Sequence, residues 1–169
     1  MPSSQTYERV MSALQSGGRE QWEAIAAELP GFPDGVDDFI HRRWIVNALG
    51  SGSAASVQWM LTKGIDLDFR DDEGYTPVHV VIQRAAADRH ELLEALLRAG
   101  APVNRKGVND WTPAHMAAAC DDVAALRILV RYGADLSIRT AIDDYATPLE
   151  EARHLGKKNA AQYLETLAR

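Results

Sequence analysis

The stretch Asp110-Trp111-Thr112-Pro113-Ala114-His115-Met116-Ala117-Ala118-Ala119 decides how this chain is read. It sets a histidine beside a hydroxyl and an aspartate, the ingredients of nucleophilic or acid–base chemistry. The same residues also have a purely local reading. Thr accepts a backbone hydrogen bond as a helix N-cap, and Pro suits the first helical position. His then falls at the third helical position, from which a side chain reaches back to the cap as Glu does in a capping box. Recurrence separates the two readings. Thr76-Pro77-Val78-His79 lies 36 residues upstream and Thr147-Pro148-Leu149-Glu150 lies 35 residues downstream. A catalytic histidine is not expected once per unit, and Glu150 keeps the capping chemistry without the imidazole. His79 and His115 are therefore read as residues that hold turns.

A second marker runs in step with the first: Gly64-Ile65-Asp66-Leu67-Asp68, Gly100-Ala101-Pro102-Val103-Asn104 and Gly133-Ala134-Asp135-Leu136-Ser137. Two markers in one register define a repeat protein. Between them, Leu92, Leu93, Leu96 and Leu97, and again Val123, Leu126, Leu129 and Val130, fall at helical spacing. Each such helix stops at a glycine, Gly100 or Gly133, the residue suited to a left-handed helix end. A unit is thus helix, tight turn, helix, glycine stop and a loop to the next Thr-Pro. The second unit is three residues longer between its markers, across Ala85-Ala86-Ala87-Asp88-Arg89-His90.

Upstream, Trp44, Ile45, Ala48 and Leu49, then Val57, Met60 and Leu61, predict a helix pair ending at Gly64, with Arg43-Trp44 where Thr-Pro would stand. Further back, the stripes Tyr7, Val10, Met11, Leu14 and Trp22, Ile25, Ala26, Leu29 flank Gly17-Gly18, and Pro30-Gly31-Phe32-Pro33-Asp34-Gly35 breaks the chain. The expected organisation is a helical cap pair over 1–35 and an array over 36–169, divided near 36–68, 69–104, 105–137 and 138–169. Phe32, Phe39 and Ile40 are read as core. Ala160, Ala161, Leu164 and Leu167 give a last helix with a polar outer face.

The totals limit the function classes. Among 169 residues, 18 Lys and Arg face 24 Asp and Glu, a net charge of −6, which argues against binding a nucleic-acid backbone and favours a basic partner, if a charged one. The one cysteine, Cys120, forms no internal disulfide or thiol metal cage and is read as a partly buried filler. No signal-peptide core and no membrane-length apolar run is present, so the cytoplasm is the expected compartment. Asp71-Asp72-Glu73-Gly74 lacks the ligand spacing of a calcium loop, and no phosphate loop, metal triad or nucleophile signature occurs. No cofactor is expected.

Gly74-Tyr75-Thr76-Pro77-Val78-His79 followed by Leu96-Leu97-Arg98-Ala99-Gly100-Ala101-Pro102-Val103-Asn104 resembles the ankyrin repeat, as does Trp111 to Ala117 with Leu129 to Asp135. The departures are the absent Thr-Pro in the first unit, the lengthened second, and Asp110 and Tyr145 where the family usually has glycine. The resemblance implies an all-α solenoid of helix-turn-helix units with finger-like β-turn loops. It further implies that a partner protein is met by the fingers and the first helices, along a concave face. Carried onto this sequence, the finger positions are Asp72, Glu73 and Tyr75; Val108, Asn109 and Trp111; and Asp143, Asp144 and Ala146. The helix positions are Gln83 and Arg84, Ala119 and Cys120, and His154. Tyr75 and Trp111 hold one place in successive units, and large aromatics on presented loops are favoured anchors. The expected function is a non-catalytic protein-binding module, a monomer on its own, with a small inhibitor or immunity-type protein as the specific version. An enzyme subunit and a two-partner scaffold are the other readings. Against the scaffold, the best contact candidates sit on adjacent fingers.

Overall fold

A computed structural model of the protein describes residues 3–141 and 145–168. Among these residues the chain is all-α, with ten helices, one 3-10 turn at Val108–Asp110 and a single isolated β-bridge. It divides into two compact units, 1–67 and 68–169.

The first unit holds α1 (Ser3–Ser16), α2 (Arg19–Glu28), α3 (Trp44–Ser51) and α4 (Ala54–Leu61). Helix α1 packs on the other three. Ser53 caps α4 by accepting the Ser56 N–H at 3.2 Å, and its own N–H and hydroxyl donate to the Leu14 carbonyl at 2.9 and 3.0 Å, which ties the start of α4 to α1. The core is aromatic. Phe39, Tyr7, Trp44, Phe32, Trp59 and Trp22 form an unbroken run of ring contacts with centroid separations of 5.6–6.0 Å. Two buried indoles of this run donate to acceptors close by. Trp22 donates to the Ala13 carbonyl at 2.7 Å and Trp59 to Glu23 at 2.9 Å.

Phe32 is buried, as expected, but Phe39 and Ile40 are 48% and 43% exposed, which corrects their reading as core. The residue turned inward at this loop is Asp37, only 1% exposed. Its carboxylate accepts the N–H groups of Phe39, Ile40 and Arg42 at 3.0, 2.6 and 3.0 Å and the Asn47 amide at 3.0 Å. Burial alone would raise its pKa, but these donors together hold it below the usual carboxylate value. An inward Asp37 satisfied by the backbone that follows it forces its apolar neighbours outward.

The second unit stacks three helix pairs: α5 (Pro77–Gln83) with α6 (Arg89–Arg98), α7 (Pro113–Ala119) with α8 (Val123–Arg131), and α9 (Pro148–His154) with α10 (Lys158–Leu167). First helices pack on first helices and second helices on second helices. Leu92, Leu93, Leu96, Leu97, Leu126 and Leu129 are buried, and the small residues Ala117, Ala118 and Ala152 let the first helices approach one another. Polar ties join successive pairs at two further levels. Asp122 caps α8 through the Ala125 N–H at 3.0 Å and receives Arg89 and His90 from α6 at 3.1 and 2.8 Å. Asn104 donates to the Gly133 carbonyl at 3.1 Å and accepts the Asp135 N–H at 2.8 Å.

The position two residues before each threonine is left-handed in all three fingers: Gly74 at φ 87°, Asp110 at φ 57° and Tyr145 at φ 48°. The departure from glycine thus changes the residue and not the backbone. Asp tolerates this region, whereas a bulky side chain carries a cost of about 1–2 kcal/mol there. Tyr145→Gly should therefore raise stability by roughly 0.5–1 kcal/mol after the greater chain entropy of glycine is counted. A urea midpoint that rises at unchanged slope is the expected result, and an unchanged or lower midpoint contradicts the account.

Candidate functional site: the finger loops of the second unit

Among the described residues the three fingers are closed alike. The Asp71 N–H donates to the Tyr75 carbonyl at 2.9 Å, the Gly107 N–H to the Trp111 carbonyl at 2.7 Å and the Thr140 N–H to the Ala146 carbonyl at 3.0 Å. Each finger then enters a helix at the threonine, whose hydroxyl accepts the N–H three residues on at 3.4 Å for Thr76 and 3.3 Å for Thr147.

The histidines do more than close their own caps. His79 Nδ1 accepts the Thr76 hydroxyl at 2.7 Å, and its Nε2 donates to the Trp111 carbonyl at 3.0 Å, one finger further on. His115 repeats this with the Thr112 hydroxyl at 2.8 Å, the Thr112 N–H at 3.2 Å and the Ala146 carbonyl at 3.0 Å. A carbonyl only accepts, so Nε2 carries a proton in both rings; the Thr112 N–H that donates to His115 Nδ1 leaves that ring neutral, and burial keeps His79 neutral as well. Burial, the leading cause, pushes His79 down to about 4 against the raising pull of the Trp111 carbonyl, and burial likewise lowers His115. Both residues are fully buried with both ring nitrogens engaged, so neither reaches a substrate. Gly107 supports the tie by close approach, because a Cβ there would lie 2.7 Å from His79 Cε1.

At the tips, Asp72, Glu73 and Asn109 are exposed, and Asn109 adopts φ 54°. Asp71 is spent inside its own turn, accepting the Glu73 and Tyr75 N–H groups at 3.1 and 2.7 Å. Tyr75 is half-buried, its ring edge-on to His79 at 6.5 Å. Trp111 is also half-buried, and its indole N–H is covered without an acceptor among the described residues. Ala146 is buried, which removes it from the finger surface. Asp143 and Asp144 lie outside the described residues. The basic finger is offset locally: Arg105 pairs with Asp68 at 3.0 Å and Lys106 with Asp110 at 3.6 Å.

On the first helices, Gln83 and His154 occupy one register and are exposed, with half-buried Ala119 between them in sequence. Gln83 reaches Met116 Sδ at 3.4 Å. Cys120 is exposed, correcting its reading as a filler, and burial of its neighbourhood raises the thiol pKa. Arg84 is placed differently from the expectation. It is 8% exposed and forms a two-point ion pair with Asp88 at 2.7 and 3.0 Å, so its guanidinium braces the longer connection between α5 and α6. The ties of His79 and His115 to the following finger were the functional feature that local sequence reading missed. The signal for them is the recurrence of His 33 and 32 residues before the next Thr-Pro.

Similarity to known proteins agrees with this geometry. A family profile described as Ankyrin repeats (3 copies) matches residues 45–140 and 83–166. The chain is similar to the RelA-associated inhibitor of Mus musculus, 33% identical over 107 residues, which is 63% of this chain and 12% of that protein. It is similar to the ankyrin repeat and KH domain-containing protein mask-1 of Caenorhabditis elegans, 30% identical over 147 residues, 86% of this chain and 5% of that protein. Protein fem-1 homolog A of Danio rerio is 26% identical over 171 residues, 90% of this chain and 27% of that one. The chain thus spans only a small part of the length of each of these relatives.

The neutral histidines carry a pH signature. Above about pH 6.5 His79 is neutral folded or unfolded; between 6.5 and about 4 the unfolded chain binds a proton that the folded one refuses. Stability should therefore fall as pH drops through that window, by on the order of 3 kcal/mol for the full shift. A His79→Gln/His115→Gln variant should show a shallower loss between pH 6.5 and 4.5 in chemical denaturation; parallel slopes for the two proteins would refute the assignment.

Proposed function

This chain belongs to the ankyrin repeat family, and from that premise we propose that it is a non-catalytic protein-interaction module whose partner is met by the fingers and first helices of the second unit. One observation carries the reading. The second and third finger backbones are locked by the histidine–carbonyl ties and the first by the Asp71 carboxylate inside its own turn, while the tip residues Asp72, Glu73 and Asn109 face solvent. Loops held in one conformation lose little entropy on binding, which is what a recognition surface requires. The contact set is Asp72, Glu73, Tyr75, Gln83, Asn109, Trp111 and His154, with Asp143 and Asp144 on the third finger. Acidic tips on the first finger, and a basic second finger already offset by Asp68 and Asp110, favour a partner that is basic where it meets them. The cytoplasm and a monomeric state belong to the same proposal.

The inhibitory version has one observation of its own in its favour: the similarity over 107 residues to a protein named for inhibition. In that version the module masks its partner's working surface by stoichiometric contact.

The discriminating experiment compares two kinds of variant. Asp72→Lys/Asn109→Lys alters exposed tips only, so the fold should stand while a partner captured by the wild-type chain is released. Arg84→Ala should behave in the opposite way, lowering stability by about 2 kcal/mol through the lost, largely buried ion pair and leaving affinity unchanged for molecules that remain folded. Capture that survives the tip variant and fails with a still-folded Arg84→Ala would place the contact elsewhere. Loss of the partner's own activity on titration with the wild-type chain would select the inhibitory version.

A further inference from the structure

The second helices of the second unit carry a surface that the finger reading does not use. An open groove of about 460 Å³ runs between α8 and α10, with Val123 and Arg127 on one side and Gln162, Tyr163, Thr166 and Leu167 on the other. Its lining is more polar than apolar and includes no carboxylate. Arg127 reaches across it, its guanidinium carbon 4.6 Å from the centroid of the Tyr163 ring. That cation–π contact positions the group and leaves its N–H donors without an oxygen acceptor.

The hydrogen-bonding capacity of the groove is unspent. Arg127, Gln162 and the Tyr163 hydroxyl have no ion pair and no hydrogen bond among the described residues. Lys158 is exposed and equally unpaired, and it stands four residues before Gln162, on the same face of α10. The carboxylates nearby in sequence are committed elsewhere. Asp121 accepts the Asn159 amide and the Ala160 N–H, both at 2.7 Å, and Glu165 pairs with Arg153 at 2.7 Å. Arg70 apart, every other described arginine of the unit pairs with a carboxylate, so Arg127 departs from the habit of this surface. In a chain of net charge −6, two cations on adjoining helices are left with nothing to offset them. An apolar occupant would cover these donors without pairing them, which costs free energy. A carboxylate accepts from a guanidinium at two points and leaves room for an amide and a phenol to donate beside it.

We propose that the α8–α10 groove is a docking site for an acidic segment of a partner protein. A Glu or Asp carboxylate of the segment pairs with Arg127, Gln162 and Tyr163 donate alongside, and a second acid meets Lys158. An apolar residue between the two acids rests on Val123 and Leu167. The groove belongs to the second helices, so it stands whether or not the fingers and first helices bind a basic partner.

Charge pairs in an open groove give weak binding, on the order of 1 mM, which nuclear magnetic resonance reads well. The full chain, labelled with ¹⁵N, is titrated with the blocked peptide Ser-Glu-Leu-Glu-Ser and with two controls, Ser-Gln-Leu-Gln-Ser and Ser-Lys-Leu-Lys-Ser. The expected result is saturable shifts at the Arg127, Gln162, Tyr163 and Thr166 amides with the first peptide, binding of the Gln peptide about fivefold weaker, and affinity that falls as ionic strength rises. Arg127→Glu, at an exposed position with no ion pair to lose, should reverse the preference toward the Lys peptide. A misfolded chain cannot produce that gain of binding. Equal binding of the Glu and Gln peptides, an unreversed preference in Arg127→Glu, or shifts confined to other residues would overturn the proposal. So would a response to a phosphoserine peptide alone, which would assign the groove to phosphate. Self-association without peptide, lost in Arg127→Glu, would overturn it in favour of the acidic finger of a second copy.

Discussion

The hydrogen bond from a buried, neutral imidazole to the backbone carbonyl of the following finger is the constraint on which the second unit depends. Each of the two acceptor oxygens, on Trp111 and Ala146, already closes its own finger by accepting an N–H from Gly107 or Thr140. The histidine adds a donor from the preceding helix pair, so one oxygen fixes both the shape of a finger and its register on its neighbour. Burial makes this bond selective for the uncharged ring, since a protonated imidazole would carry a desolvated charge against no carboxylate. The tie also accounts for Gly107, where any side chain would occupy the space the ring needs. In the last helix pair the relation changes. Glu150 turns back to the Thr147 N–H at 2.7 Å and pairs with Arg139, which together hold its pKa at about 2.

The first unit is held by other means. Its core is a continuous run of aromatic rings drawn from α1, α2, α3, α4 and the loop between α2 and α3, and its one buried carboxylate, Asp37, organises backbone rather than chemistry. The contrast has a physical basis. In the second unit the alanine-rich α7 packs closely between α5 and α9, whereas each of α1 to α4 contributes a Tyr or Trp ring to the core of the first unit.

What was legible in the sequence follows from range. Threonine caps, proline at the first helical position, glycine stops and leucine stripes act within a few residues, and the structure holds them where spacing put them. The third-position residue was legible as a capping group for the same reason. Its forward bond spans 32 residues for His79 and 31 for His115 and depends on where the next finger's carbonyl points, which no local pattern encodes. Arg84 looked like a contact residue because the resemblance placed it on a presented helix; the longer connection supplies Asp88 four residues on and draws it inward. Phe39 and Ile40 looked like core because they are apolar; the satisfaction of Asp37 outweighed their burial. At Asp110 and Tyr145 the missing glycines were visible, but not that the backbone keeps the left-handed turn regardless.

Because the tie between fingers ends on a main-chain oxygen, it asks nothing of the side chain that the oxygen belongs to: Trp111 serves in one finger and Ala146 in the next. Holding and addressing are thereby assigned to different atoms of the same loop. New tip sequences can be written into such a chain by ordinary substitution, without renegotiating the lock beneath them. Its capacity to change allegiance is a property of the backbone.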